Sequence, residues 1–523
     1  MSREFAHIVC VVDPKADPRQ IQGRGMAAQG QCPGCGAPIE FRMGASVSAV
    51  CQFCSTTVRR TDRGLENMGK VAAVADTPAI VAVGDTGVVG DQGFQVLGKV
   101  QLQHDMGGVW EEWYLGFHNG QWGWLAYAQG LFMVTWKVEP TPPVPPMGQI
   151  RVDSTVSLGQ RGGYRVVELK QATVASAQGE LPFTPKTGEA RYYADLHGPK
   201  NGFGTIDWGQ GTDPIEVFLG YQLLESQLRI TQQVERPHRQ LDLEGLTCPG
   251  CGAPLKIHAG NRIERVACPY CGTISESASQ QIIARQEAAR AQPAIPLGSS
   301  GTIANQSYTV IGFVQKSTVI EGETFYWTEY LLFGPGLGFR WLVDDEGTWR
   351  FVTPLNAADV DLSQYPSAVA FGGKTYRMRN QSAGRTEYVL GEFYWKVQVG
   401  ETTQNIDFAS GSDVLSREFG SNEVHYSHAP VIPWATLAQA FSLSATPPVS
   451  FGAGDDDDEP YPSTTSSSGG PSLAVIVLVV IVILVLLFCG MCVCVGGSGS
   501  GTGSSSPGVR GAPVYGGGWS SGK

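Results

Sequence analysis

Eight of the twelve cysteines fall into two sets of four, Cys32-x2-Cys35-x15-Cys51-x2-Cys54 and Cys248-x2-Cys251-x16-Cys268-x2-Cys271. A Cys-x2-Cys turn aims two sulfurs at one centre. Two such knuckles on neighbouring hairpins complete a tetrahedron, the arrangement of a four-thiolate zinc site. Gly34, Gly36, Gly250, Gly252 and Gly272 flank the cysteines and permit the tight backbone the turns need. Four protein ligands leave no position open for water, so the implied role is structural. Each module is too small to bury a core, and metal binding would supply its folding energy. The expectation is two structural Zn2+ sites. Two disulfides per module, a redox Cys-x2-Cys pair and rubredoxin-like iron are the competing assignments.

No catalytic constellation emerges elsewhere, and the chain reads as a non-enzyme. Asp85-Thr86-Gly87 has the aspartic-protease triplet form, but that chemistry needs two aspartates sharing a proton, and the corresponding stretch is Ser299-Ser300-Gly301. A turn is the simpler reading. Gly334-x-Gly336-x-Gly338 lacks the strand-to-helix context of a nucleotide loop and reads as a hairpin turn. The eight histidines show no metal-ligand spacing. Ser416, Arg417 and Glu418 read as either a polar ligand site or a salt bridge at a strand edge. Trp110, Trp113, Trp122, Trp124 and Trp136 read as core or as an aromatic platform for sugars, bases or cationic amines. Arg42, Arg59, Arg60 and Arg63 surround the first cysteine module and Lys256, Arg262 and Arg265 the second, opposed by Glu40 and Glu264. A net charge of -11 disfavours nucleic acid as the main partner.

The elements that must position these residues are written twice. CPGCGAPI at 32–39 returns as CPGCGAPL at 248–255, and DQGFQVLGKVQ at 91–101 as NQSYTVIGFVQ at 305–315. Tyr114 and Phe117 align with Tyr330 and Phe333, Trp124-Leu125 with Trp341-Leu342, and Gly179-Glu180 with Gly391-Glu392. Charged residues are only 16%, glycine reaches 67 residues and tryptophan 12, a balance suited to many short strands and tight turns. The fold class expected is mainly β: two zinc ribbons, two β-sheet or barrel-like repeat domains, and one C-terminal transmembrane helix.

The divisions expected are an N-terminal extension at 1–29, zinc ribbon 1 at 30–62 and β-rich repeat domain 1 at 80–232. Zinc ribbon 2 follows at 244–276, a linker helix at 278–292 and β-rich repeat domain 2 at 295–436. The helix is expected because QQIIARQEAARAQ is rich in helix formers and stops before Pro293. An acidic, Ser/Gly-rich linker at 442–472 leads to the membrane segment at 473–495, and a Gly/Ser-rich tail occupies 496–523. The 473–495 run, LAVIVLVVIVILVLLFCGMCVCV, carries no charge. At about 1.5 Å per residue it reaches roughly 35 Å, beyond the ~30 Å hydrocarbon core. The first twenty residues do not read as a secretory signal. Metal-holding thiolates persist best in a reducing compartment, so the folded part is expected to face the cytoplasm.

The cysteine modules resemble the zinc ribbons that open many bacterial and archaeal multidomain proteins. The β units resemble the bacterial domain of unknown function 4178. Gly298, Gly301, Tyr308, Val310, Gly312, 326–333 and 341–347 carry that resemblance, with Leu415-Ser416-Arg417-Glu418 and Glu423-Val424-His425-Tyr426 after them. The first half keeps Glu216-Val217-Phe218 and lacks the Ser-Arg-Glu element. That family has no assigned activity, and the resemblance implies an association with envelope stress and polyamines. The function expected is a membrane-anchored binding or scaffold protein with protein partners. A sensor of a small cationic metabolite such as a polyamine is one alternative, a nucleic-acid-binding ribbon protein the other.

Overall fold

The computed structural model describes residues 28–448 except 62–63, 73–79, 105–108, 212, 233–245, 278, 287–291, 321 and 421. The expected membrane segment at 473–495, the expected tail at 496–523 and most of the expected extension and linker lie outside the described residues. Among the described residues no helix is long and apolar enough to cross a membrane.

Strands dominate. The first cysteine module holds β1 (Ala28–Gln31), β2 (Pro38–Phe41), β3 (Ser48–Val50), β4 (Thr56–Thr61) and β5 (Gly64–Lys70). The unit after it begins with β6 (Thr86–Val89), β7 (Gln92–His104), β8 (Val109–Phe117), β9 (Trp122–Ala128), β10 (Leu131–Val138) and β11 (Thr155–Ser157). It ends with β12 (Gly163–Leu181), β13 (Ala190–Gly198), β14 (Gly202–Asp207), β15 (Glu216–Leu224) and β16 (Arg229–Thr231). The second cysteine module contributes β17 (Arg265–Ala267), β18 (Thr273–Glu276) and β19 (Ile282–Arg285). Then come β20 (Ser300–Ile303), β21 (Gln306–Ile320), β22 (Glu323–Gly334), β23 (Gly338–Asp345), β24 (Thr348–Leu355) and β25 (Ala368–Phe371). The last are β26 (Lys374–Phe393), β27 (Thr402–Ser410), β28 (Asp413–Phe419), β29 (Val424–Ala429) and the helix α1 (Trp434–Phe441).

Each large unit closes into a ring of eight antiparallel strands. The first runs β7-β8-β9-β10-β15-β14-β13-β12 and returns from β12 to β7. The second runs β21-β22-β23-β24-β29-β28-β27-β26 and returns from β26 to β21. Closure removes exposed edges from both rings. The barrels are filled. Leu102, Tyr114, Trp124, Tyr193 and Phe218 meet inside the first, and Leu331, Trp341, Val389 and Phe393 inside the second. Aromatics dominate because an eight-stranded barrel is just wide enough for side chains to fill it.

The seam of each ring falls on a glycine pair, Gly98↔Gly179 and Gly312↔Gly391. Gly179 and Gly391 have φ of +72° and +88°. A Cβ at Gly391 would stand 2.1 Å from the Ile311 carbonyl oxygen, and one at Gly98 would stand 1.8 Å from that of Glu180. Only glycine allows backbones to close there. Beyond the seam, the ends of β12 and β26 pair with β3 and β17, so each cysteine module continues its barrel's sheet.

Three expectations change. The linker helix at 278–292 is not formed over Ile282–Arg285, which is β19, paired with β18. The unpaired edge of β18 offers backbone partners that outweigh the helix propensity of this stretch. Conversely, α1 was not anticipated. Its Leu437 and Phe441 join Ile303, Tyr308 and Tyr330 over the outside of the second barrel. Finally, the alignment of Tyr114 with Tyr330 is one residue out. Gly98 opposes Tyr114 whereas Gly312 opposes Leu331, so Trp113 is the counterpart of Tyr330. A one-residue slip moves a strand residue to the other face, and Trp113 and Tyr330 both pack outside their barrels. Trp124 and Trp341 do correspond, since they oppose Tyr114 and Leu331.

Candidate metal centres

Four knuckles share one backbone pattern. The Cys32 and Cys248 N–H groups donate to the carbonyls of Ala37 and Ala253, and their own carbonyls accept from Gly36 and Gly252. At Cys51 and Cys268 the partners are Thr56 and Ser55, then Thr273 and Gly272. The residue after each pair's second cysteine has positive φ in all four: Gly36 +77°, Ser55 +57°, Gly252 +74°, Gly272 +69°. This left-handed residue turns the chain back so both sulfurs face the same point.

In each set the four sulfurs lie within 4.8 Å of one another. Cys32–Cys54 and Cys35–Cys51 are 3.6 and 3.7 Å apart, Cys248–Cys271 and Cys251–Cys268 3.6 and 3.9 Å. A tetrahedron with metal–sulfur bonds near 2.3 Å has an edge of about 3.8 Å. A disulfide would need about 2.05 Å, and all eight cysteines are free thiols. The donor set and spacing fit a tetrahedral ion at both sites.

Polar neighbours surround the sulfurs, and in each set they favour the thiolate at the last cysteine, Cys54 or Cys271. The Gly34 and Gly250 N–H groups donate to Cys32 and Cys248 Sγ at 3.4 and 3.3 Å. Thr56 and Thr273 place hydroxyls 3.2 Å from Cys54 and Cys271 Sγ. The Thr56 hydroxyl and amide hold the Cys54 thiol down to about 6. For Cys271 burial acts upward, the Thr273 groups act downward, and the outcome is again about 6.

One carboxylate latches each module onto its barrel. Glu180, next to the seam glycine, accepts from the Arg42 and Met43 N–H groups at 2.9 and 3.3 Å and from Ser46 Oγ at 2.7 Å. Glu392 accepts from the His258 and Ala259 N–H groups at 2.9 Å and pairs with His258 Nδ1 at 2.8 Å. Burial raises the Glu180 carboxyl above its ordinary value while these donors pull the other way. The Gly-Glu pairs marked the repeat in the sequence, but their latch role needs the tertiary contact.

The remaining residues singled out by sequence are structural where described. Asp85 is fully buried in a turn and accepts from the Ala82 N–H at 2.9 Å. The 334–338 glycines turn β22 into β23, and Gly338 packs directly on Gly130 of the first barrel. Arg417 bonds Asp153 at 3.0 Å, an ion pair between the two barrels. Trp124 and Trp113 are core, and Trp110 donates to the buried Glu112 at 3.0 Å. Lys170 occupies the first barrel's aromatic interior, 5.6 Å from the Trp110 ring centre and 5.2 Å from that of Tyr193, with Asp195 at 2.8 Å. Several basic residues near the cysteines are already engaged. Arg59 pairs with Glu66, Arg60 donates to the Gly44 carbonyl, Arg262 pairs with Glu225, and Arg265 donates to the Val397 carbonyl. Arg63 lies outside the described residues.

The family model described as "Domain of unknown function (DUF4178)" matches residues 82–225 and 296–433, together just over half of the chain. The chain belongs to this family. It carries two copies, and each match begins after a cysteine module and covers a closed barrel. Comparison with curated proteins and with solved structures gives no match.

Proposed function

We propose that this chain is a membrane-anchored, non-catalytic binding scaffold in which two Zn2+ ions act as structural staples. The observation that carries the reading is the pair of sulfur tetrads, each latched by a buried carboxylate to the seam of a filled barrel. The donor set is all thiolate, which suits zinc, and the tetrahedral spacing leaves no ligand position for a substrate. The barrel interiors are occupied by side chains, so binding falls to the outer surface. Phe53 and Tyr270 stand at the same place in the second knuckle of each module and are 65% and 63% exposed. Large aromatics held on rigid turns are suited to anchoring a protein partner. The uncharged run at 473–495 supports anchorage, with the folded part facing the cytoplasm, where thiolates keep their metal.

The sensor and nucleic-acid alternatives gain less. The aromatic cage available to a cationic amine holds the chain's own Lys170, and many of the arginines near the cysteines are committed to internal partners.

Elemental analysis of the purified full chain tests the core of the reading and should return two zinc ions per chain. Cell fractionation of the intact chain and a 473–495 deletion tests the anchor. The intact chain is expected in the membrane pellet and the deletion in the supernatant. Metal-free protein with oxidised cysteines, or a deletion that still pellets with membranes, would overturn it.

A further inference from the structure

Duplication requires no contact between copies, yet these two barrels are joined through their backbones. The Leu169 N–H donates to the Asn422 carbonyl at 2.8 Å, and Glu168 forms an antiparallel bridge with Glu423. Val167 packs among Val360, Val424 and Tyr426 of the second unit. The bridge brings two carboxylates together with little solvent between them: the Glu168 side chain is 7% exposed and that of Glu423 19%.

The cations facing them are few. From β12, Lys170 Nζ lies 2.7 Å from Glu168, but it also serves Asp195 of β13 at 2.8 Å and feels Glu112 of β8. From β29, His425 Nε2 lies 3.2 Å from Glu423 and also feels Glu418 of β28. His197 of β13 supplies no charge. Its Nδ1 accepts from the Ala357 N–H at 3.0 Å, and burial pushes it down to about 3. Arg165 and Arg417 are both bound to Asp153, at 3.4 and 3.0 Å. Around Lys170 and His425 therefore stand Glu168, Glu423, Asp195, Glu112 and Glu418, with Arg191 also acting on Glu112. Glu168, His197, His425 and Tyr426 also line a cavity of about 30 Å³, room for only one or two waters to screen them.

We propose that the docking of the two barrels is proton-linked: protons held at Glu168 and His425 close the junction, and their loss loosens it. Burial raises the Glu168 carboxyl, Lys170 opposes, and the Glu423 charge raises it further. Burial lowers His425, but its bond to Glu423 and the surrounding carboxylates outweigh this and leave it raised. A group raised on docking stabilises the docked state at low pH, and that contribution fades as pH climbs through the raised value. For His425 the loss falls above the ordinary value of 6.5. The junction is therefore tight in mild acid and weakens on the alkaline side of neutrality.

Hydrogen exchange of the full-length protein at pH 6 and pH 8.5, corrected for the intrinsic pH dependence of amide exchange, tests this. Amides at 165–170 and 422–426 should lose about tenfold in protection at pH 8.5, the change that a one-unit pKa difference between docked and separated forms produces. Amides at 330–333, in the far wall of the second barrel, should serve as an unchanged reference. Glu168→Gln should flatten the dependence with the junction closed, and His425→Gln should leave the junction loosened at both pH values. Equal protection at both pH values, equal loss at the reference amides, or full dependence surviving in both variants would overturn the proposal.

Discussion

Replacing Glu392 by alanine removes the buried side-chain contact that, beside the β17–β26 ladder, holds the second cysteine module to its barrel. Three bonds go: those from the His258 and Ala259 N–H groups at 2.9 Å and that from His258 Nδ1 at 2.8 Å. Ala259 is fully buried, so its N–H loses its acceptor in a place water reaches poorly. Hydrogen bonds to a charged acceptor contribute about 1.5–3 kcal/mol each, and a stranded buried donor costs about 1–3 kcal/mol. Because the three share one carboxylate, their effects overlap, and the loss expected is about 3–5 kcal/mol rather than the sum. Urea unfolding of the metal-loaded protein, followed by tryptophan fluorescence, measures it. Chelator competition should also show faster metal release from the second site alone. Glu66→Ala is the control: it breaks a surface pair with Arg59, the two side chains being 52% and 42% exposed, and should cost under about 1 kcal/mol. If Glu392→Ala costs no more than this control, or releases metal from both sites equally, the latch is not what joins module to barrel.

Cys35→Ser should lower the metal content from two ions to one and leave the second site loaded. A content still at two would mean that Cys35 is not a ligand. Burial pushes the Glu401 carboxyl up to about 7, with Lys316 opposing. A raised carboxyl stabilises the fold below its ordinary value of 4.5 and loses that contribution as pH rises to about 7. Unfolding free energy should therefore fall across this window, and Glu401→Gln should flatten the fall; an unchanged pH profile would contradict the assignment. Trp341→Ala should cost about 3–5 kcal/mol, because the ring is buried against Trp395 with centroids 5.4 Å apart. Calorimetric titration with spermidine should give no heat for either wild type or variant; heat that disappears with the tryptophan would revive the sensor reading.

The contacts between barrels were invisible in the sequence because each partner has an ordinary local role. Asp153 and Glu168 sit among turn and strand residues with nothing in their spacing to mark them, and Arg417, read as part of a ligand site or a strand-edge salt bridge, gave no sign of which acid it meets. They lie 264 residues apart in the case of Arg417 and Asp153. The same holds for β19, where a helix-forming composition yields to an open strand edge. The Tyr114 alignment failed for a related reason. Matching residue types tolerates a shift of one position, whereas the ladder opposite a fixed glycine does not.

What the amino-acid order determined alone is what depends on short spacing and on repetition: the four knuckles, the duplication, the strand-rich composition and the seam glycines with their following glutamates. A knuckle's geometry is set within six or so residues, so its letters suffice. What only the tertiary structure decided is closure and contact: that each sheet becomes a filled ring, that the glutamates reach back to the cysteine modules, and that one barrel's β12 bridges to Glu423, just ahead of the other's β29. Those depend on which distant backbones find each other's hydrogen-bonding groups, and a linear pattern carries no record of that choice.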